Sequence, residues 1–212
     1  MTTDSTASPP PGSEGADVSP GPLEEASSGA VRYWDRYVSA RGTWRLHPVS
    51  RQPMEPPGED LAAMRAGLAH PAGEVFALWP FYTAPCDGRI TRRLEAEHAA
   101  LALYGLHQQS RREPMHRPGV GFGAALARLR EGGRFGAEAL DRRVDTAANA
   151  TSVASLRHRL RGLVTQLRTG GQPLDYNRLL EDLHDWHLPE RRRRVRRKWG
   201  LEYYARKSEP QS

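Results

Sequence analysis

The sequence predicts an all-α protein. Nearly every segment with periodic apolar residues repeats them at the three- and four-residue spacing of one helix face, and no run shows convincing strand alternation. Loops that contain Pro and Gly separate these segments. We therefore expect about nine helices in total, arranged as two small bundle lobes.

Composition divides the chain into four parts. Residues 1–29 are rich in Pro, Ser, Gly and acidic residues and contain almost no apolar side chains, so we expect a disordered tail. An N-terminal lobe is expected over 30–116 and a C-terminal lobe over 117–207, meeting near residues 110–120. Residues 208–212 are expected to be a disordered C-terminus.

The N-terminal lobe is predicted to contain four helices. Trp34 and Val38 lie on one face of a first helix over 31–40, and Glu59 and Asp60 place negative charge at the start of a second. A brief apolar helix is predicted over 71–82 and a long one over about 89–109. The side chains expected in the core of these last two helices are Val75, Phe76, Leu78, Trp79, Phe81, Ile90, Leu94, Leu101 and Tyr104.

The C-terminal lobe is predicted to contain five helices. The first two lie around 122–130 and 135–144, and the third follows the 3, 4, 3, 4 spacing from Val153 to Leu167 until Gly170 and Gly171 end it. Asp175 is a suitable N-cap for the fourth, and Pro189 suits the first turn of the fifth. The apolar residues Leu174, Trp186, Trp199 and Tyr203 are expected to build the core of this lobe.

The charge of the chain indicates a polyanionic partner. The tail carries five of the 25 acidic residues and no Lys or Arg, so the remainder has 31 basic against 20 acidic side chains, a net charge of +11. All but two of the basic residues are arginine, whose planar guanidinium suits phosphate oxygens and stacks on bases. A soluble basic domain of this kind suits nucleic acid or an anionic membrane surface.

Several other classes of protein are disfavoured. No run of about twenty apolar residues exists and no signal peptide is recognisable, so we expect a cytoplasmic protein that does not span a membrane. A single cysteine, Cys86, excludes an internal disulfide and a cysteine zinc cage.

An enzyme is also disfavoured, although one metal site is conceivable. Two Glu-x-x-His pairs, Glu95 with His98 and Glu181 with His184, have the spacing used in di-iron helical bundles. Such a site needs further mid-helix glutamates, which the sequence does not supply. We therefore expect no catalytic residue, metal or cofactor, and a di-iron enzyme is kept as an alternative.

Seven segments in order resemble the CasB family, the small subunit of the type I-E CRISPR surveillance complex Cascade. The resemblance covers about residues 31–205 and is weak over 31–58. The segments are LWPFY (78–82), LYGLHQQS (103–110), MHRPGVGFGAAL (115–126), DRRV (141–144), LRGLV (160–164), LDYNRLLEDLHDWHLPE (174–190) and WGLEYY (199–204).

The resemblance implies a non-catalytic subunit in antiviral defence. Its implied partners are the backbone and large subunits of Cascade, a second copy of itself in a head-to-tail pair, the crRNA-containing complex, and the target and displaced DNA strands. It would support the R-loop without reading sequence. The matching nucleic-acid-binding positions are His116, Arg117, Arg142, Arg143 and Arg161.

Charge alone adds further candidates for nucleic-acid binding: Arg89, Arg92, Arg93, Arg111, Arg112, Arg157, Arg191, Arg192 and Arg194. The last three belong to a run of seven cations within residues 191–198, which repel one another along a helix and favour a polyanion nearby. A general RNA- or DNA-binding helical scaffold outside CRISPR systems remains a second interpretation.

Overall fold

A computed structural model describes residues 31–205, and within this range the secondary structure is helical with three isolated β-bridges. This confirms the all-α prediction. The two predicted disordered segments, 1–29 and 208–212, lie outside the described residues. The eight α-helices and one 3₁₀ helix are, in order, α1 (Tyr33–Tyr37), α2 (Gly58–Ala66), the 3₁₀ helix (Phe76–Phe81), α3 (Arg92–Gln108), α4 (Phe122–Glu131), α5 (Ala137–Ala148), α6 (Val153–Gly170), α7 (Tyr176–Asp185) and α8 (Pro189–Tyr204).

Helix α3 lies at the centre of the molecule. Its N-cap, Thr91, accepts a hydrogen bond from the backbone N–H of Leu94 at 3.1 Å. Beyond Glu95 every residue of this helix is buried, because α2, α6 and α7 pack around it. One contiguous hydrophobic cluster includes residues of α1 and of α8, so apolar packing crosses the predicted boundary between lobes. The boundary itself stays a prediction.

The helical pair α7 and α8 closes the core with aromatic side chains. Trp186 and Trp199 stack with ring centroids 5.2 Å apart, and Phe122 of α4 lies 4.7 Å from Trp199. Leu174, Trp186, Trp199 and Tyr203 are all buried, which confirms their predicted role in the core. Burying aromatic rings of this size is a major source of stability in a small domain.

The segment around residues 71–90 differs from its prediction. The predicted helix over 71–82 is a 3₁₀ helix of six residues, with Pro80 inside it. Because its apolar residues surround the turn rather than forming one stripe, only Leu78 is fully buried. Phe76 is 87% exposed and Trp79 37%, so the prediction that both lie in the core is wrong. Ile90 is exposed as well, since α3 begins two residues later at Arg92.

Helix α4 packs against α8 at a distance that requires glycine. A Cβ at Gly123 would collide with the carbonyl oxygen of Trp199 and lie 2.8 Å from Cβ of Glu202. We predict that Gly123→Ala lowers the free energy of unfolding by about 2 kcal/mol, because the backbone of α8 must move away. Urea denaturation measures this change.

Gly200, on the opposing helix, is the matched control. An added Cβ there meets no heavy atom within 4 Å. Gly200→Ala should therefore raise stability by about 0.5–1 kcal/mol, since alanine favours the helix over glycine. Destabilisation by Gly200→Ala equal to that of Gly123→Ala would show that close packing is not the reason for the glycine at position 123.

Two buried histidines make the fold sensitive to acid. Burial lowers the pKa of His107 to about 3, and the charges of Arg111 and Arg168 act in the same direction. Burial also lowers the pKa of His98. The unfolded chain therefore binds protons below about pH 6.5 that the folded chain excludes, and stability falls as pH drops.

We predict that His107 alone contributes about 1.4 kcal/mol of lost stability per pH unit between about pH 6 and pH 4. Urea denaturation at several pH values should show that the free energy of unfolding depends less steeply on pH for His107→Gln than for the unmodified protein. Equal slopes for His107→Gln and the unmodified protein would contradict this assignment.

No helix within residues 31–205 combines the length and apolarity needed to cross a membrane.

Candidate nucleic-acid interface

Helices α5 and α6 form a groove lined by cations. Arg142 and Arg143 project from α5, and His158 and Arg159 from α6, into a groove of about 450 Å³. Its remaining lining residues are Ala139, Thr146, Gly162 and Leu163, so no carboxylate lines it. We call these eight residues the cationic groove. The absence of lining carboxylates and the clustered guanidinium groups are the features that attract a phosphate backbone.

The cations of this groove differ in how firmly they are held. Arg142 is 73% exposed, and its closest acidic neighbour is Glu138 Oε2, 4.0 Å away. Such an exposed pair in water stabilises the protein little, which leaves Arg142 available to another anion. Arg159 Nη1 instead donates to the carbonyl oxygen of Thr146 and so connects α6 to α5. Arg161 is exposed one turn after His158 and extends the positive face along α6.

Two residues of the groove, His158 and Arg159, were not predicted from the sequence. A signal was present, because Arg157, Arg159 and Arg161 alternate along the same helix. Only the packing of α5 against α6 shows which of these positions faces Arg142 and Arg143. Charge alone suggested Arg157, whose guanidinium instead reaches the carbonyl oxygens of Gly67 and His70.

Arg157 is a structural residue rather than a surface contact. Its Nη1 donates to the carbonyl oxygens of Gly67 at 3.1 Å and His70 at 2.8 Å, joining α6 to the end of α2. Burial lowers the pKa of its guanidinium. The prediction that Arg157 binds nucleic acid is therefore corrected, because its half-buried guanidinium is held against the same two carbonyl oxygens that His98 Nε2 contacts.

His116 is also corrected, because its side chain is completely buried. Its Nδ1 accepts the backbone N–H of Tyr176 at 3.1 Å, and its Nε2 lies 3.3 Å from Asp35. Burial opposes ionisation of Asp35, yet the contacts with His116 and Asn177 hold the pKa of this carboxyl below its usual value. His116 thus fixes the loop before α4 onto the start of α7 and cannot contact a nucleic-acid strand in this fold.

The same loop leaves Arg117 at the surface. Its backbone N–H donates to the carbonyl oxygen of Leu174 at 2.9 Å, which holds the main chain in place. The aliphatic part of its side chain packs over Gly42, where a Cβ would lie 2.8 Å from Cγ of Arg117. The residue is exposed, so its predicted role in binding stays a prediction.

Five other predicted arginines lie away from the cationic groove. Arg93 makes two hydrogen bonds to Glu181, at 2.7 Å and 2.9 Å, and Arg32 adds a third at 2.8 Å. Although burial opposes ionisation, these two arginines bring the pKa of Glu181 to about 2, so the charge of Arg93 is already compensated. Arg111 is half-buried against the turn at Gly171. The other three, Arg89, Arg92 and Arg112, are exposed.

The arginine run of α8 is largely engaged with the protein itself. Arg192 and Arg196 donate to the carbonyl oxygens of Thr151 and Ala150, and Lys198 pairs with buried Asp182. Arg191 pairs with Asp185 at 3.3 Å. These contacts explain how the helix tolerates so many like charges.

Within the same run, Arg194 is an outward-facing, exposed cation. Arg192 donates through Nη1 to the carbonyl oxygen of Thr151, and its predicted role in binding stays a prediction. Arg191 and Arg194 stay predictions.

The two Glu-x-x-His pairs do not form a di-iron site. His98 contacts the hydroxyl of Tyr82 through Nδ1 at 2.8 Å and two backbone carbonyls through Nε2. Glu181 is held by arginines, as described above. Among residues 31–205 no group of three or more His, Cys, Asp or Glu side chains is placed to hold a metal ion.

The fold and this surface define a class of protein: an all-α scaffold with an arginine-containing groove that no carboxylate lines. A family model for CRISPR-associated protein Cse2 matches residues 60–204. The chain belongs to this Cse2 family, whose structures also carry the name CasB.

Solved structures agree with this assignment. The crystal structure of CasB from Thermobifida fusca is 34% identical, with a TM-score of 0.57 over 70% of this chain and 85% of that one. A Cse2-family CRISPR-associated protein from Thermus thermophilus is 28% identical, with a TM-score of 0.54 over 68% and 85%. A chain from a CRISPR RNA-guided surveillance complex shares the fold at 20% identity, with a TM-score of 0.54 over 71% and 82%. Comparison with curated proteins finds no match.

Proposed function

We propose that this protein is the non-catalytic small subunit of a type I-E CRISPR RNA-guided surveillance complex, Cascade. In this role it stabilises the R-loop by contacting the target and displaced DNA strands without reading their sequence. Its partners are the backbone and large subunits, a second copy of itself, and the crRNA. Family membership supports the assembly, and the cationic groove is the observation that carries the nucleic-acid contact.

The energetics of R-loop formation suit such a surface. Replacing a DNA duplex by an RNA–DNA hybrid is nearly balanced in free energy, so a few phosphate contacts are enough to shift it. Arg142, Arg143 and Arg161 offer exposed guanidinium groups, which bind phosphate oxygens through charge-assisted hydrogen bonds. We expect these arginines to contact the phosphate backbone, which carries no sequence information.

Co-purification tests the assembly. A tagged form of this protein, expressed with the other genes of its CRISPR locus and a crRNA, should elute with the crRNA and the other subunits at a fixed ratio. Elution as a free protein under conditions where the remaining subunits assemble would contradict the proposed function. This outcome would favour the alternative of a general nucleic-acid-binding scaffold.

Salt dependence tests the nucleic-acid contact in the isolated protein. We predict weak binding to single-stranded DNA of any sequence, with a logarithmic salt slope of about −2 or steeper, since each neutralised phosphate contributes about −0.7 on a single strand. Fluorescence anisotropy with two unrelated oligonucleotides between low and physiological salt measures it. Affinity that is independent of salt, or that differs strongly between the sequences, would contradict the prediction.

A further inference from the structure

Three large apolar side chains are exposed on one side of the 3₁₀ helix. They are Phe76 at 87%, Ile90 at 50% and Trp79 at 37% exposure. A 3₁₀ helix has three residues per turn, so Phe76 and Trp79 project from the same side. Ile90 joins them at Gly73, where a Cβ would lie 2.8 Å from Ile90 Cδ1 and 3.6 Å from Trp79 Cζ2. We call Phe76, Trp79 and Ile90 the apolar ridge.

Trp79 and Ile90 of the apolar ridge line a cleft of about 580 Å³ between residues 71–74, residues 86–90 and Glu95 in the first turn of α3. Gly73 and Gly88 bend the two loops around it with φ of +86° and +83°, values that favour glycine. Trp79 is held in place, because its Nε1 donates to the carbonyl oxygen of Gly73 at 3.2 Å and its ring meets Tyr82 edge-on. The cleft is therefore formed before any partner arrives, which lowers the entropic cost of binding.

The charges around the cleft favour protein over nucleic acid. Glu74 and Glu95 line it with side chains 59% and 47% exposed, and Arg89 is the single cation in the lining. A phosphate backbone would be repelled by the two carboxylates. An apolar side chain flanked by a basic residue would instead fill the cleft and reach an acidic group on its edge.

The size of the ridge argues against a homodimer held by this surface alone. An aromatic side chain buries about 150–250 Å², so three large side chains supply at most about 700 Å². A stable two-protein interface buries about 800 Å² on each partner. The ridge is too small to hold a homodimer by itself, but it is large enough to be an anchor within an assembly of several contacts.

The ridge and the cationic groove lie on different sides of α6. Arg157 of this helix reaches the carbonyl oxygens of Gly67 and His70, on the side of the cleft. The next two residues, His158 and Arg159, line the groove with α5. A protein at the ridge therefore leaves the groove open to DNA.

We propose that the apolar ridge and its cleft dock a different protein subunit of the surveillance complex, one that presents an apolar side chain beside a basic residue. This proposal rests on the proposed function, which supplies the assembly. It assigns the ridge to protein contact and leaves nucleic acid to the groove.

The single cysteine allows a direct test. Cys86 is exposed and lines the cleft, so a short photo-crosslinker attached to it in the assembled complex should join this protein to another subunit. In Cys86→Ser/Thr146→Cys, the same crosslinker sits in the cationic groove and should react with DNA after target binding. Gel mobility and mass spectrometry identify the products.

Each product has a defined meaning. A cross-link from Cys86 to a different subunit supports the proposal, whereas a cross-link to a second copy of this chain, to crRNA or to DNA overturns it. Efficient assembly without any cross-link from Cys86 also overturns it, because the cleft would then face solvent. Failure of the protein to enter the complex at all would refute the proposed function first, and the docking proposal with it.

A pair of substitutions separates docking from folding and DNA binding. Phe76→Ser/Ile90→Ser should reduce the amount of this subunit retained in the complex by roughly tenfold, the effect of about 1.4 kcal/mol. Its affinity for single-stranded DNA as an isolated protein should not change. Leu201→Ser/Tyr204→Ser is the matched control, since these side chains are 68% and 65% exposed on α8. Equal retention of both double variants would overturn the proposal.

Discussion

Reversal of Arg142 and Arg143 to glutamate is expected to weaken target-DNA binding by the reconstituted complex by about one to two orders of magnitude. Both side chains line the cationic groove, and no acidic residue lines it with them. The change removes two guanidinium groups and places two carboxylates against the phosphate backbone. Electrophoretic mobility shift with a matched target measures the affinity.

The control for this prediction reverses two exposed arginines outside the groove. Arg36 lies on α1 and Arg128 on α4, both exposed, so Arg36→Glu/Arg128→Glu changes the net charge by the same amount. It should lower affinity only slightly, and the effect should fade at physiological salt because long-range attraction is screened. An equal loss in both variants would assign binding to overall charge instead of the groove. Circular dichroism should show that both variants stay folded.

Loss of the Asp175 carboxylate is expected to be the most damaging single change to stability. Its oxygens accept the backbone N–H groups of Gly119 at 2.7 Å, Asn177 at 2.9 Å and Arg178 at 3.2 Å. Asp175 thus caps α7 and also fixes the loop that precedes α4. We predict that Asp175→Ala costs about 3 kcal/mol, because three buried or half-buried donors lose a charged acceptor.

Thermal denaturation should show this loss as a fall in Tm of roughly 10 °C for a domain of this size. Asp185→Ala, at the other end of the same helix, is the control. Asp185 makes one half-exposed pair with Arg191, so its removal should cost less than about 0.5 kcal/mol. Similar losses for Asp175→Ala and Asp185→Ala would show that capping does not explain the effect.

The all-α class could be predicted because helical spacing is a local property of sequence. Asp175 as an N-cap, Pro189 at the start of α8 and Trp186 in the core follow from residue type and spacing, and each is found in place. The family resemblance could also be recognised from the sequence, since each matching segment is a continuous stretch of residues. A match to the family, however, does not show whether a residue binds nucleic acid or supports the fold. His116 is buried in the core, whereas the next residue, Arg117, is exposed.

The candidate site was harder to predict because it depends on how helices pack. Arg157 and His158 are neighbours in sequence, yet one binds backbone carbonyls of the N-terminal half and the other lines the groove. The arginine run of α8 shows the same limit: charge density indicated an interface, but Arg192, Arg196 and Lys198 make internal contacts. The hydrophobicity of Phe76 and Trp79 predicted that they lie in the core. Hydrophobicity alone does not show that a short 3₁₀ helix buries only one of its residues, Leu78.

In the proposed function the cationic groove and the apolar ridge have different partners. The cationic groove offers positive charge without a specific binding pocket, which suits a DNA strand whose sequence is read by the crRNA. The apolar ridge offers exposed apolar side chains beside a cleft with both acidic and basic residues, which suits a protein partner. With these two surfaces the protein, in the proposed role, would join other subunits to nucleic acid.

The lifetime of the R-loop, compared between complexes with and without this subunit, shows whether the protein stabilises it. The complex lacking the subunit should hold target DNA with a lifetime shorter by roughly tenfold or more, corresponding to at least about 1.4 kcal/mol. Adding back the unmodified protein should restore the lifetime, and adding back Arg142→Glu/Arg143→Glu should not. Equal R-loop lifetimes in the presence and absence of the subunit would contradict the proposed role in R-loop stabilisation.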